Sequence, residues 1–299
     1  SKTSFEQKLV NIDKDLLMIP NLAIHMSREA NDGQKYNVQN DLLPIFSIVE
    51  DIQHNDRSFI NTVAKSAGVN PESIISTDLF LYNRDTGKYW GNNNEFISSP
   101  KLDDLECAYT TFLGFLNSTK SDTNNVSVHC VFDNEEVGSQ TKQGADSTFL
   151  YDVLKRINLC CKRSEEDFFT AIAKSFMVSA DNAHAVHPNY TDKSDPTNRP
   201  FINGGPVIKF NAAQKYTTDG ISATIFKAAC ENANVPYQTF VNRSDMAGGS
   251  TLGNISSSHV SIPTVDIGLA QWAMHSPYET AGTKDALYMT DAMRAILDN

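Results

Sequence analysis

Val126-Ser127-Val128-His129-Cys130-Val131-Phe132 alternates apolar and polar positions and runs straight into Asp133-Asn134-Glu135-Glu136-Val137-Gly138-Ser139. The alternation reads as a buried strand, which places both glutamates at a strand's C-terminal end, where open α/β sheets bind their ligands. Neighbouring side chains on an extended or turning segment diverge. Glu135 and Glu136 can therefore divide two tasks, one holding a metal and the other moving a proton. A solvated acidic loop is the plain alternative, since Glu is mostly an exposed residue.

Three more segments end an apolar run in a metal-ligand type of residue. Ser175-Phe176-Met177-Val178-Ser179-Ala180 leads into Asp181, with His184 and His187 close behind. Thr264-Val265-Asp266-Ile267-Gly268 reads as a strand and is followed, after Leu269 to Met274, by His275. Phe96-Ile97-Ser98-Ser99-Pro100-Lys101-Leu102 precedes Asp103. Two aspartates, a glutamate and a histidine form a mixed oxygen and nitrogen set that suits zinc, manganese or cobalt.

With 299 residues and 40% hydrophobic content the chain can bury a large core. No apolar stretch approaches the roughly 18–20 residues that span a bilayer. A net charge of −11 disfavours nucleic acid and anionic membrane surfaces as partners. Five cysteines, an odd number, give no disulfide framework and point to a reducing, cytoplasmic setting.

Asn83 to Lys88 and Gly91-Asn92-Asn93-Asn94-Glu95 are turn-rich and mark a boundary between a small first part and the Asp103 segment. In the first part, Asp78 to Tyr82 is strand-like and Ser58 to Gly68 reads as a helix closed by glycine. Beyond the boundary, strands alternate with helices that begin near Ser147 and Ser164, the latter with a Ser-x-x-Asp capping box. That order predicts an α/β fold with a mixed, partly parallel sheet flanked by helices. Gly248-Gly249-Ser250-Thr251-Leu252-Gly253 lacks the lysine of a phosphate loop and is expected to turn its backbone donors toward a substrate, with Asp245 behind it. A glycosidase also uses paired carboxylates, but it has no use for Asp103, Asp181 and His275 together.

Five strings in this order resemble the M18 aspartyl aminopeptidases along essentially the whole chain. They are Ser99-Pro100-Lys101-Leu102-Asp103, Asp133 to Ser139, Ser179-Ala180-Asp181 through Pro188-Asn189-Tyr190, Gly205-Pro206-Val207-Ile208-Lys209 and Ala273-Met274-His275-Ser276. The resemblance implies a dimetal exopeptidase that removes acidic N-terminal residues from peptides and assembles as a tetrahedral homododecamer. It implies two divalent ions, zinc foremost and manganese or cobalt possible. Asp103 would bridge them, Glu136 and His275 would complete one site, and Asp181 would belong to the other. Glu135 would be the general base for a metal-bridged water. His184 and Lys209 would hold the substrate's acidic side chain, and His25 would reach a neighbouring subunit's site.

By the same resemblance, residues 1–93 correspond to the C-terminal part of an inserted, smaller β-rich oligomerisation domain and 94–299 to the catalytic domain. The family's upstream His-Thr-Asp-Ser-Pro segment has no counterpart, and His25 and His54 are the only histidines before Asp103. The expectation is a C-terminal portion of a longer enzyme with an incomplete second metal site. The alternative is an inactive or assembly-only fragment or subunit of such an enzyme.

Overall fold

The computed structural model describes residues 4–48, 57–119 and 125–299. It divides into two units, Ser1–Arg84 and Asp85–Asn299.

Among the described residues of the first unit are three α-helices, α1 (Ala30–Gly33), α2 (Val38–Asp41) and α3 (Ser58–Ala67). Only α3 is long enough to have an interior. Gly68 closes it in the left-handed conformation at φ 64°, and its N–H caps Lys65 O, as the sequence predicts. The β pairing among the described residues of this unit is an isolated bridge, Met18 to Ile45. Asp78 to Tyr82 is not assigned to a strand among the described residues, and Phe80 is 87% exposed. His25 is exposed within this unit, and His54 lies outside the described residues.

Among its described residues the second unit carries nine strands in two mixed sheets. β1 (Lys88–Trp90) pairs with β2 (Phe96–Ser99). The first sheet runs β1-β2-β9-β8-β4, where β4 is Ala183–His184, β8 Ala270–Trp272 and β9 Glu279–Gly282. The second runs β3-β7-β5-β6, where β3 is Met177–Ala180, β5 Val207–Phe210, β6 Gln238–Val241 and β7 Thr264–Gly268. β3 lies parallel to β7, β5 parallel to β6, and β5 antiparallel to β7. All five residues of β7 are buried, as expected of a central strand covered on both faces.

Helices α4 (Leu102–Asn117), α5 (Phe149–Cys160), α6 (Glu165–Lys174), α7 (Gly220–Asn232), α8 (Leu252–Ser257) and α9 (Asp285–Asp298) flank the sheets. Phe226, Met289 and Met293 from α7 and α9 pack with Ile208, Val265 and Ile267 of the sheet in one core. Helices α4 and α9 approach closely because residue 114 is glycine; a Cβ there would sit 2.5 Å from that of Met293. The α6 capping box forms as predicted, with Asp167 N donating to Ser164 Oγ (3.1 Å) and Ser164 N to Asp167 Oδ2 (2.8 Å).

The segment from Val126 to Phe132 is not the buried strand its alternation predicts. Among the described residues it has no sheet partner, and Val126, Val128 and Val131 are exposed by 67%, 41% and 58%. Alternation specifies a pleated face, but a strand also needs an adjacent edge to take its backbone N–H and C=O groups. Leu105, Tyr109, Phe112 and Leu116, spaced as one helical stripe on α4, are exposed as well.

Candidate active site

Four loops of the second unit converge on one pocket. The turn after β2 places Lys101 at φ 59° and leads to Asp103, whose ψ of 115° is not yet helical, at the mouth of α4. The β8–β9 connection places His275 at φ 66°. Glu135 and Glu136 lie on a single turn, Glu135–Val137, set off by Asn134 at φ 61°, and not at a strand's end. Asp181 follows β3 directly, and Lys209 projects from β5.

His275 Nε2 stands 3.0 Å from Asp103 Oδ2 and 3.2 Å from Glu136 Oε2. Bonds of about 2.0–2.2 Å to a tetrahedral zinc put donor atoms roughly 3.3–3.6 Å apart, so this triad is already close to a coordination triangle. Donor atoms of Asp103, Glu136 and His275 lie within 4.8 Å of one another, and so do those of Asp103, Asp104 and Asp181. Asp103 Oδ1 is buried and has no hydrogen-bond partner. An orphaned carboxylate oxygen at the junction of two carboxylate-rich groups is what a divalent cation would satisfy. The residues present therefore fit such an ion.

Electrostatics points the same way. Burial, then Asp181, Glu136 and Glu279, push the Asp103 carboxyl up to about 8. Asp104 is raised well above the carboxylate range by burial, Asp181 and Asp103. Glu135 is raised by burial and by the charges of Asp181 and Glu136, which suits a group that must take a proton near neutral pH.

Lys209 is 3% exposed, and its Nζ donates to Asn182 O (2.8 Å) and pairs with Asp181 Oδ2 (3.3 Å). Burial alone would lower its pKa, but Asp181, Tyr216 and Asp266 outweigh it, and the shift is upward. The lysine is thus partnered inside the protein while it also lines the pocket. His184 lines the pocket edge-on to Phe240. The surrounding protein, then the charge of Lys209, lowers its pKa, leaving it neutral at pH 7. The pocket, about 120 Å³, also takes in Glu135, Tyr216, Gly249, Ser250, Thr251 and Met274. The glycine-rich loop therefore reaches the pocket, as expected. Asp245 instead pairs with Arg243 at 2.7 Å, and His187 Nδ1 accepts Asn189 N at 3.2 Å to hold its own loop.

The structure brings together Asp103, Glu136, His275, Asp181, Glu135, His184 and Lys209, and adds residues that the sequence reading passed over. Asp104 joins the Asp181 group, with one oxygen accepting Asn182 N (3.1 Å). Asp266, buried in β7, accepts Thr217 N (2.5 Å), Thr217 Oγ1 (2.6 Å) and Thr251 Oγ1 (3.0 Å), tying two pocket loops to the central strand. Its signal was a charge inside an otherwise apolar strand.

The family of aminopeptidase I zinc metalloproteases (M18) matches residues 1–296. The chain belongs to the M18 family. It is 51% identical over 284 residues to the probable M18 family aminopeptidase 2 of Clostridium acetobutylicum, covering 95% of this chain and 65% of the relative. The probable M18 family aminopeptidase 2 of Pseudomonas aeruginosa UCBPP-PA14 is 41% identical, with 97% and 66% covered. Among solved structures, a chain in the cryo-EM structure of the Ape4 and Nbr1 complex superposes with a TM-score of 0.88 at 34% identity, covering 97% of this chain and 59% of its own. The crystal structure of prApe1 superposes at 0.87 with 25% identity and 99% and 66% coverage. The chain thus spans about two thirds of the length of the M18 relatives it matches.

Proposed function

We propose that the protein carrying this chain is a metal-dependent aminopeptidase that prefers an acidic first residue. The observation that supports this reading most directly is the Asp103, Glu136 and His275 triad around the unpartnered Asp103 Oδ1. Asp103, Glu136 and His275 would hold one divalent ion, zinc foremost, and Asp103 with Asp181 would contribute to a second. Such ions polarise the scissile carbonyl and lower the pKa of a water. Glu135, beside the triad but free of ion pairing with His275, takes the proton from the attacking water and returns it to the leaving amine. Lys209 and the neutral His184 face the pocket as a cation and an imidazole donor for a carboxylate side chain. A neutral first residue would leave that buried cation paired only within the protein.

Family membership and the intact triad do not favour the assembly-only alternative. Among the described residues no helix is long and apolar enough to cross a membrane. The odd set of five cysteines, with no disulfide framework, is our reason for placing the enzyme in the cytoplasm. We also propose self-association as a dodecamer, the assembly named for the related S. cerevisiae mApe1 structure, with His25 of the first unit reaching a neighbouring copy's site. The test is hydrolysis of Asp- and Ala-aminoacyl substrates by the intact, zinc-loaded protein before and after chelation. Metal-dependent release with Asp favoured is expected. Undiminished turnover after complete metal removal would refute the reading.

A further inference from the structure

Glu279 is the first residue of β9, 2% exposed, and pairs in register with Ser99 of β2. Its two carboxylate oxygens are both committed to backbone. Oε2 accepts Asp103 N at 2.8 Å and Oε1 accepts His275 N at 2.7 Å. These donors belong to different segments, one leaving β2 and the other crossing from β8 to β9, and each segment delivers one member of the triad.

Both segments are held in backbone conformations that side-chain-bearing residues avoid: Lys101 at φ 59°, Ala273 at φ 58° and His275 at φ 66°. Such conformations persist only where the surroundings over-determine them. A charged acceptor bonding to two amides supplies that constraint from one rigid strand end, since charge-assisted bonds are the strong ones. We infer that Glu279 is a positioning residue that fixes the separation of Asp103 and His275, and so sets the metal affinity of their triad. This inference rests on the proposed metal site. Within it, Glu279 does the work that outer partners of metal ligands do elsewhere, but through the ligands' main chains and not their side chains.

The variant that tests this is Glu279→Gln. Its carbonyl can accept one N–H, while its NH₂ meets the other donor head-on, so one segment is released with little change in volume. The intact protein is loaded with zinc against a competing chelator, and its cobalt form is followed by visible absorption. Zinc affinity is expected to fall about 10- to 100-fold, with an altered cobalt spectrum, the usual scale for loss of a partner that orients a metal ligand. Met293→Ala, in the α4–α9 core away from the site, is the control for general destabilisation. Residue-level amide exchange on the metal-free wild type gives a readout that needs no variant, and slow exchange at Asp103 and His275 is expected despite their irregular backbone. Fast exchange at both amides, zinc affinity in Glu279→Gln within twofold of wild type, or an equal loss in Met293→Ala would each overturn the inference. Wild type that takes up no metal would instead overturn the proposed function, and protected amides would then leave the clamp without its metal role.

Discussion

Replacing Lys209 with methionine should separate its structural bond from its recognition role. The side chain is fully enclosed and its Nζ serves Asp181 Oδ2 and Asn182 O. Methionine keeps the bulk but leaves a carboxylate and a carbonyl without their donor. Breaking a buried ion pair from one side costs about 3–5 kcal/mol. Asp181, with 15% of its side chain exposed, recovers some hydration, which favours the lower end, about 3 kcal/mol. Chemical denaturation of the metal-free protein measures this. Saturating zinc should narrow the gap between wild type and variant, because a cation beside Asp181 replaces the missing ammonium. The pH dependence has a defined sign. Lys209's folded pKa lies above its ordinary 10.5, so the pair's contribution is complete below that value and is lost as pH rises through the folded pKa. Wild type and variant should keep their gap from pH 6 upward; it widens as pH passes about 8, because the charge of Lys209 helps the Asp103 carboxyl to ionise, and the pair's own contribution is lost only in alkali. On substrates, the Asp-to-Ala preference should fall by a factor corresponding to roughly 2–4 kcal/mol. A loss under 1 kcal/mol without metal, or a gap that closes between pH 6 and 8, would refute the structural part. An unchanged substrate ratio would refute the recognition part.

Glu135→Gln should leave zinc content intact and lower kcat by about 10²–10⁴-fold, the usual contribution of a general base, whereas Glu136→Gln should lose metal first; equal behaviour in metal analysis and rate assays would show the roles to be wrongly divided. Gly114→Ala should destabilise by roughly 1–3 kcal/mol, because its new methyl meets Met293 and Thr290 O across the α4–α9 contact; an unchanged melting temperature would contradict that packing. Ser164→Ala should cost about 1 kcal/mol through loss of the α6 cap, read by the same denaturation assay.

The sequence made legible those features whose causes are local. The α6 capping box, the glycine stop of α3 and the strands around Asp181, Lys209 and Asp266 each follow from spacing within a few residues. The Val126 to Phe132 segment and Asp78 to Tyr82 show the limit: alternation describes what a strand offers, and only a partner edge elsewhere completes it. The site divides the same way. Asp103, the Glu135–Glu136 pair, Asp181 and His275 could be named because each follows an apolar run, and only the family resemblance divided the two glutamates between ligand and base. Asp104 and Glu279 could not, since their significance lies in contacts spanning up to 176 positions of sequence.

One consequence of this arrangement explains why the fold tolerates so many buried acids. Asp103, Asp104 and Asp181 share a site whose nearest interior cation is Lys209. Three carboxylates against one ammonium cannot all stay ionised in a poorly solvated pocket, which is why Asp103 is pushed up to about 8 and Asp104 well above the ordinary carboxylate range. Protons can settle that imbalance, but they would tie up the oxygens facing the pocket. A divalent cation settles it while leaving Glu135 free to accept a proton. The strained backbone at Lys101 and His275, secured by Glu279, is then the geometric cost of holding negative groups closer together than they would stand unaided.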